Sequence, residues 1–245
     1  MKINFIKTSE VSVISNNNTR KVGISKGSIV ECKRLVVKPF SVLATVRQSD
    51  ELWEIPGKDV IIKDAKKVIY PSKVRLTVPY FSQRDNKLDP QGSCNVTAFA
   101  MALYALGLRG NGNGQLEDQL NQWLKDAGLD RHNHQHLQQM AIAKGFKCDF
   151  RTNAKIIDLQ EHLAKGFPVV LAGWFTSSGH IITLVGYDER GFLVHDPNGE
   201  WCDWGYEVGD TRDGFTHGAY MHYSYGLITR LCADSVGIWG HLISK

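Results

Sequence analysis

The chain has 245 residues, enough for one large domain or two smaller ones with proper cores. Its 42% hydrophobic and 22% charged residues describe a globular protein and exclude a low-complexity chain. A net charge of +4, with no run of Lys and Arg interleaved with aromatic residues, gives no indication of nucleic-acid binding. No segment approaches membrane-spanning length, and the first ten residues lack the apolar core of a signal peptide. The expectation is a chain without membrane insertion, cytoplasmic as synthesised, that reaches a cell wall only by another route. Five cysteines, Cys32, Cys94, Cys148, Cys202 and Cys232, are odd in number and widely spaced, which argues for free thiols. There is no Cys-x-x-Cys pair, and neither a metal nor a cofactor is expected.

In chain order, residues 1 to about 70 read as short strands at 3–6, 11–15, 28–33, 41–47 and 59–63. Each is rich in β-branched residues, and polar turns such as 15–20 and 48–51 separate them. The expectation is a small all-β barrel. Tyr70-Pro71-Ser72 marks the boundary, and a strand at 74–78 opens a second domain over 74–245. There the periodicity predicts helices at 94–108, 116–127, 133–144 and 155–165, then strands at 169–175, 180–187 and 192–195. A short helix near 225–231 and a strand at 238–243 complete an α+β domain.

Cys94 stands where a polar, glycine-containing turn meets an apolar helical run. Val96, Phe99, Ala100, Leu103 and Leu106 recur at helical spacing, so one helix face is expected to be buried. A thiol in the first turn of a helix has its thiolate favoured by unpaired N–H groups and the helix dipole. On this stretch alone, a nucleophile and a packed small hydrophobe are equal readings. His180 opens an apolar strand after a glycine turn, and Asp196 follows the strand ending at His195. If residues 188–191 join these strands as a hairpin, the start of one lies beside the end of the other, and His180 meets Asp196. A carboxylate there holds the imidazole tautomer and stabilises its protonated form. Asn198 is an alternative orienter; Asp196 is preferred because Pro197 turns the chain away.

These residues resemble the papain-like cysteine peptidases of the bacteriocin-processing, double-glycine leader type, in their broader stand-alone branch. The carrying stretches are Val78-Pro-Tyr-Phe-Ser-Gln83, Gly92-Ser-Cys-Asn-Val-Thr-Ala-Phe-Ala-Met101, Gly179-His180 with Gly186-Tyr-Asp188, and His195-Asp-Pro-Asn-Gly199. The resemblance implies a papain-like cysteine peptidase domain with Cys94 as nucleophile, His180 as general base and Asp196 as orienter. It also implies a glutamine as oxyanion donor; Gln83 matches that pattern, and Gln91 is nearer in sequence but sits in the turn. The sequence departs from the family at Asn95-Val96, where Cys-Gly is usual. The N-terminal strands are similar in architecture to a bacterial Src-homology-3-like barrel of the kind appended to cell-wall enzymes.

Trp201 and Trp204, within an aromatic-rich region after Asp196, are candidates to line a substrate groove, with packing as the equal alternative. The histidines of Arg131-His-Asn-His-Gln-His136 read as a loop leading into a helix rather than a zinc site. Three uses of the site compete: peptide hydrolysis, on cell-wall peptides as in a phage or bacterial lysin; acyl transfer or amide hydrolysis on the same triad; and peptide binding without catalysis.

Overall fold

The structure, a computed structural model, describes residues 2–5, 9–15, 18–37, 41–46, 52–56, 60–63, 68–69, 71–207 and 217–245. Ile6, residues 47–51, Asp59 and Tyr70, which figure in the expected strands, turn and boundary, lie outside the described residues. The chain divides into two compact units. One is Met1–Val74 with Ala164–Gly166 and Tyr187–Glu189; the other is Arg75–Leu163 with Phe167–Gly186 and Arg190–Lys245.

The first unit contains β1 (Lys2–Phe5), β2 (Ser9–Ser15), β3 (Asn18–Ile24), β4 (Ile29–Val37), β5 (Ser41–Val46), β6 (Leu52–Pro56), β7 (Val60–Lys63) and β8 (Val68–Ile69). Alternation sends Ile3 and Phe5, and Val11 and Val13, to one side, where they pack with Cys32, Ala44 and Ile55. The sheet order is β3-β2-β6-β5-β4-β1-β7-β8. Among the described residues this order is open, and the expected closure into a barrel is not seen. Of the expected turn at 15–20, Asn16 and Asn17 lie outside the described residues, while Asn18–Arg20 belong to β3, which pairs with β2 from Ser9↔Ile24 to Ser15↔Asn18 and extends the sheet at its edge.

The second unit begins at Arg75, the end of β9 (Val74–Arg75), and takes in α1 (Cys94–Ala105), α2 (Leu116–Asp126), α3 (His134–Ala143), β10 (Lys147–Ala154) and most of α4 (Ile156–Ala164). It continues with β11 (Val169–Gly173), β12 (His180–Tyr187), β13 (Gly191–His195), β14 (Glu200–Cys202), β15 (Gly205–Glu207), β16 (Met221–Ser224), α5 (Tyr225–Cys232) and β17 (Ile238–Ser244). The sheet runs β10-β17-β11-β12-β13-β16, and β14 and β15 form a separate hairpin. Helices and an antiparallel sheet segregate as the α+β expectation requires.

Helix α1 packs against α2, α3 and β11. The expected single buried face is an underestimate, because every residue from Asn95 to Leu103 is buried. Ala98, Ala100 and Ala102 allow neighbours to approach on all sides, and the Thr183 hydroxyl of β12 donates to the Ala98 carbonyl at 3.0 Å. The helix stops earlier than its apolar run. Gly107 adopts φ 113°, its N–H donates to Tyr104 O, and Leu108 N–H reaches back to Leu103 O at 2.9 Å. This is the glycine-terminated closure that satisfies the last carbonyls. No helix among the described residues is long and apolar enough to cross a membrane.

Candidate active site

The N-terminus of α1 is fixed by a buried polar network. Asn86 satisfies both ends of its amide with its oxygen toward Ser93 Oγ (2.8 Å) and Thr97 Oγ1 (2.9 Å). Its nitrogen then faces Ser82 O (3.3 Å) and Glu117 Oε1 (3.2 Å). Ser93 therefore donates its hydroxyl to Asn86, and Thr97 Oγ1 shares its one hydrogen between the Asn86 oxygen and Ser93 O, 2.9 Å from each. Asn95, next to the thiol, donates from Nδ2 to Arg131 O at 2.9 Å, and its Oδ1 accepts from Val96 N–H at 2.8 Å. The first turn that carries Cys94 is thus held on both flanks.

His180 is delivered by a tight turn. Gly179 adopts φ 82°, its N–H donates to Thr176 O at 3.0 Å, and Thr176 Oγ1 donates to Gly179 O at 2.7 Å. Strands β12 and β13 are neighbours in the sheet, joined through residues 188–190. The hairpin brings His180 Nε2 to 2.7 Å from Asp196 Oδ1. Asp196 is 0% exposed, yet its carboxylate is fully engaged. Oδ1 also accepts from Asn198 N–H at 3.0 Å, and Oδ2 accepts from the hydroxyls of Tyr206 (3.1 Å) and Tyr223 (3.0 Å). Its backbone is tied as well: Asp196 N–H donates to Gly218 O at 2.9 Å, and Tyr80 OH donates to Asp196 O at 2.9 Å. Burial, reinforced by the Asp196 charge, holds both Tyr206 and Tyr223 far above the ordinary phenol range, so they remain donors.

With Nε2 committed to Asp196, Nδ1 is the ring nitrogen left to serve the Cys94 thiol. Burial opposes the His180 cation, but the charges of Asp196 and Cys94 reverse this and carry its pKa up to about 10. Burial likewise opposes the Cys94 thiolate. The His180 charge and hydrogen bond, with a contribution from Ile181 N–H, outweigh burial and leave the thiol below its ordinary value. The pair thus favours thiolate and imidazolium. All five cysteines are described, and none is in a disulfide. Burial raises Cys32 to about 11 and Cys148 to about 12, and raises Cys202 and Cys232 as well.

Gln83 is buried in a 3-10 turn (Gln83–Asp85) whose N–H donates to Pro197 O at 2.9 Å. Its Nε2 donates to Pro90 O at 3.1 Å, and its Oε1 is buried without a hydrogen-bond partner among the described residues. Gln91 is exposed. Residues 75–227 match the Peptidase_C39 like family. The chain belongs to that family. Membership points to a cysteine peptidase, a hydrolase, and the mixed helix-and-sheet architecture fits the α+β expectation. Two solved structures are similar to this C39-like chain. A double glycine motif protease from an AMS/PCAT transporter, in complex with the leader peptide, is 15% identical. It covers 69% of this chain and 93% of its own, with a TM-score of 0.43. A protein from Bacillus anthracis described as a C39-like peptidase is 19% identical, covers 71% and 98%, and has a TM-score of 0.44. No curated protein matches the chain.

Other residues singled out in this C39-like sequence have local explanations. Trp201 is tied down: its Nε1 donates to Phe175 O at 2.9 Å and its N–H to Tyr223 OH at 2.9 Å. Trp204 stands 80% exposed between β14 and β15. The histidines of 131–136 go separate ways. Asn133 caps α3, His134 Nδ1 meets His241 Nε2 at 2.9 Å, and His136 Nδ1 accepts from Asp130 N–H at 2.9 Å. His195 is locked neutral, with Nε2 donating to Val78 O and Nδ1 accepting from Tyr220 N–H; burial lowers its pKa to about 4. The tyrosines around Asp196 and the carbonyl of Gly218 carry no sequence signal for this role, because tertiary pairing brings them in.

Proposed function

We propose that this chain is a cysteine endopeptidase working through Cys94, His180 and Asp196. The carrying observation is the buried His180–Asp196 pair at 2.7 Å, together with Cys94 opening helix α1, and the lowering of this thiol alone among the five agrees with it. The Cys94 thiolate attacks the peptide carbonyl carbon, forming a C–S bond and an oxyanion. That oxyanion meets the Cys94 N–H and the second Nε2 hydrogen of Gln83, whose first is held by Pro90 O. His180 gives its Nδ1 proton to the leaving amine, and the C–N bond breaks to leave a thioester. His180 then takes a proton from water, hydroxide attacks the thioester, the C–S bond breaks and the ion pair is restored. Asp196 stays ionised and holds the imidazole in register.

The substrate we assign is a peptide, and the exposed Trp204 is the ring we assign to contact it. The first class to test is bacterial cell-wall peptide, in keeping with the mildly basic chain and a separate N-terminal β unit. The test has two stages. Near neutral pH, iodoacetamide should label Cys94 at least tenfold faster than Cys148 or Cys202; equal rates would overturn the nucleophile assignment. Purified cell wall should then release amines with wild type and not with Cys94→Ala. Equal release by both would remove that substrate, while fast Cys94 labelling would still support the peptidase.

A further inference from the structure

The β14–β15 hairpin places two carboxylates face to face. Its register pairs Glu200 with Glu207 directly across the ladder, an arrangement of like charges that is unfavourable by itself. His217 approaches the pair from another part of the chain. Its Nε2 lies 3.8 Å from Glu200 Oε2 and 4.0 Å from Glu207 Oε2. Both separations are beyond hydrogen-bond reach, and this nitrogen is buried without a hydrogen-bond partner among the described residues. The donor atoms of all three side chains lie within 4.8 Å of one another. Two ligand atoms each about 2.1 Å from a shared tetrahedral ion are about 3.4 Å apart, so both histidine distances are within about 0.6 Å of that spacing.

Each of the three residues also adjoins a group that holds Asp196. Trp201, after Glu200, donates its N–H to the Tyr223 hydroxyl that binds Asp196 Oδ2. Tyr206, before Glu207, donates its own hydroxyl to the same oxygen. Gly218, after His217, accepts the Asp196 N–H. We propose that Glu200, Glu207 and His217 bind one divalent cation of the zinc type, and that this ion fixes the collar around Asp196. Two carboxylate oxygens and an imidazole nitrogen form the mixed donor set that suits such an ion, whereas calcium prefers an all-oxygen shell. The ion would neutralise the cross-strand repulsion and tie the hairpin to the segment bearing Gly218. The inference concerns binding and does not rest on the peptidase reading.

The test uses full-length Cys94→Ala protein, because Zn2+ also binds a reactive thiolate. Titration with Zn2+ should give a stoichiometry near one. At a hundredfold excess over Kd, the thermal midpoint should rise by roughly 5–10 °C. Glu207→Gln in that background should weaken binding at least tenfold. Its midpoint without metal should be equal or higher, since it removes the repulsion, so unfolding would not explain the loss. Amide exchange at Trp201 and Asp196 should slow at least tenfold with Zn2+ in the Cys94→Ala protein and not in the Glu207→Gln variant. Unchanged affinity in Glu207→Gln, or affinity lost only on Cys202→Ser, would overturn the site. Binding with no change in exchange would overturn the collar.

Discussion

Replacing Asp196 by Asn separates the charge of this residue from its shape. The isostere keeps Oδ1 for His180 Nε2–H and Asn198 N–H. Its new Nδ2 hydrogens face the hydroxyl oxygens of Tyr206 and Tyr223, which turn from donors into acceptors. The buried site stays hydrogen-bonded and loses one negative charge. Two unit charges about 4 Å apart, at an effective dielectric of about 20, interact by about 4 kcal/mol, an upper bound of about 3 pH units. Burial would then dominate His180 and draw its pKa down from about 10. A His180 that is less often charged supports the Cys94 thiolate less, so the thiol pKa moves up. The ion-pair window narrows from both sides. The alkaline limb of activity should fall by about 1–3 pH units, so kcat/KM at pH 10 should drop by about 5- to 500-fold and the value at pH 7 by much less. The assay is the pH dependence of Cys94 alkylation by iodoacetamide, which needs no substrate, set beside kcat/KM on a fluorogenic peptide. A labelling profile that superimposes on wild type would refute the claim that the Asp196 charge sustains the ion pair.

Other perturbations probe the surroundings. Gln83→Ala should lower kcat by about 10²–10³-fold with KM little changed; a KM effect alone would show ground-state binding instead. Gly218→Ala would drive a Cβ into Asp196 O and set it 2.6 Å from Tyr80 OH. That clash must move the end of β13, so activity should fall more than tenfold, with circular dichroism monitoring the fold. Burial, aided by the Asp85 and Asp118 charges, raises Glu117 from 4.5 to about 7. The stability tied to its proton is complete below pH 4.5 and is lost as pH rises through about 7, at about 1.4 kcal/mol per pH unit. Urea unfolding at pH 5 and pH 8 should therefore show a loss in wild type that Glu117→Gln lacks. His241 and His195 act in the opposite sense, because burial depresses them to about 3 and about 4. Their contribution is present above pH 6.5 and drains away as pH falls toward those values. Unfolding free energies that stay flat between pH 6.5 and pH 4 would contradict this.

The His180–Asp196 pair was legible because one hairpin carries most of its geometry. A short connection between two apolar strands fixes their register, and register alone sets His180 beside Asp196. Helix α1 was legible as a helix but not as a central one. Periodicity marks apolar positions, whereas Asn95 and Thr97 are buried through partners the pattern does not contain, Arg131 O for one and Ser93 with Asn86 for the other. Asn95, where the sequence departs from the family motif, has a structural use beside Cys94. Its side chain points into a backbone contact and stiffens the turn that carries the thiol. Strand β10 was missed because it alternates only weakly, with most of its residues partly or fully exposed. Least legible was the collar around the buried carboxylate. Tyr206 and Tyr223 lie 10 and 27 residues beyond Asp196, on elements whose pairing no local pattern announces. Yet those hydroxyls let a fully desolvated carboxylate stay charged, and that charge sustains the His180 cation. The electrostatics of the thiol therefore depend on residues far from any recognisable motif. Tyr223→Phe should disturb Cys94 alkylation in the same direction as Asp196→Asn, although Tyr223 reaches the thiol only through Asp196 and His180.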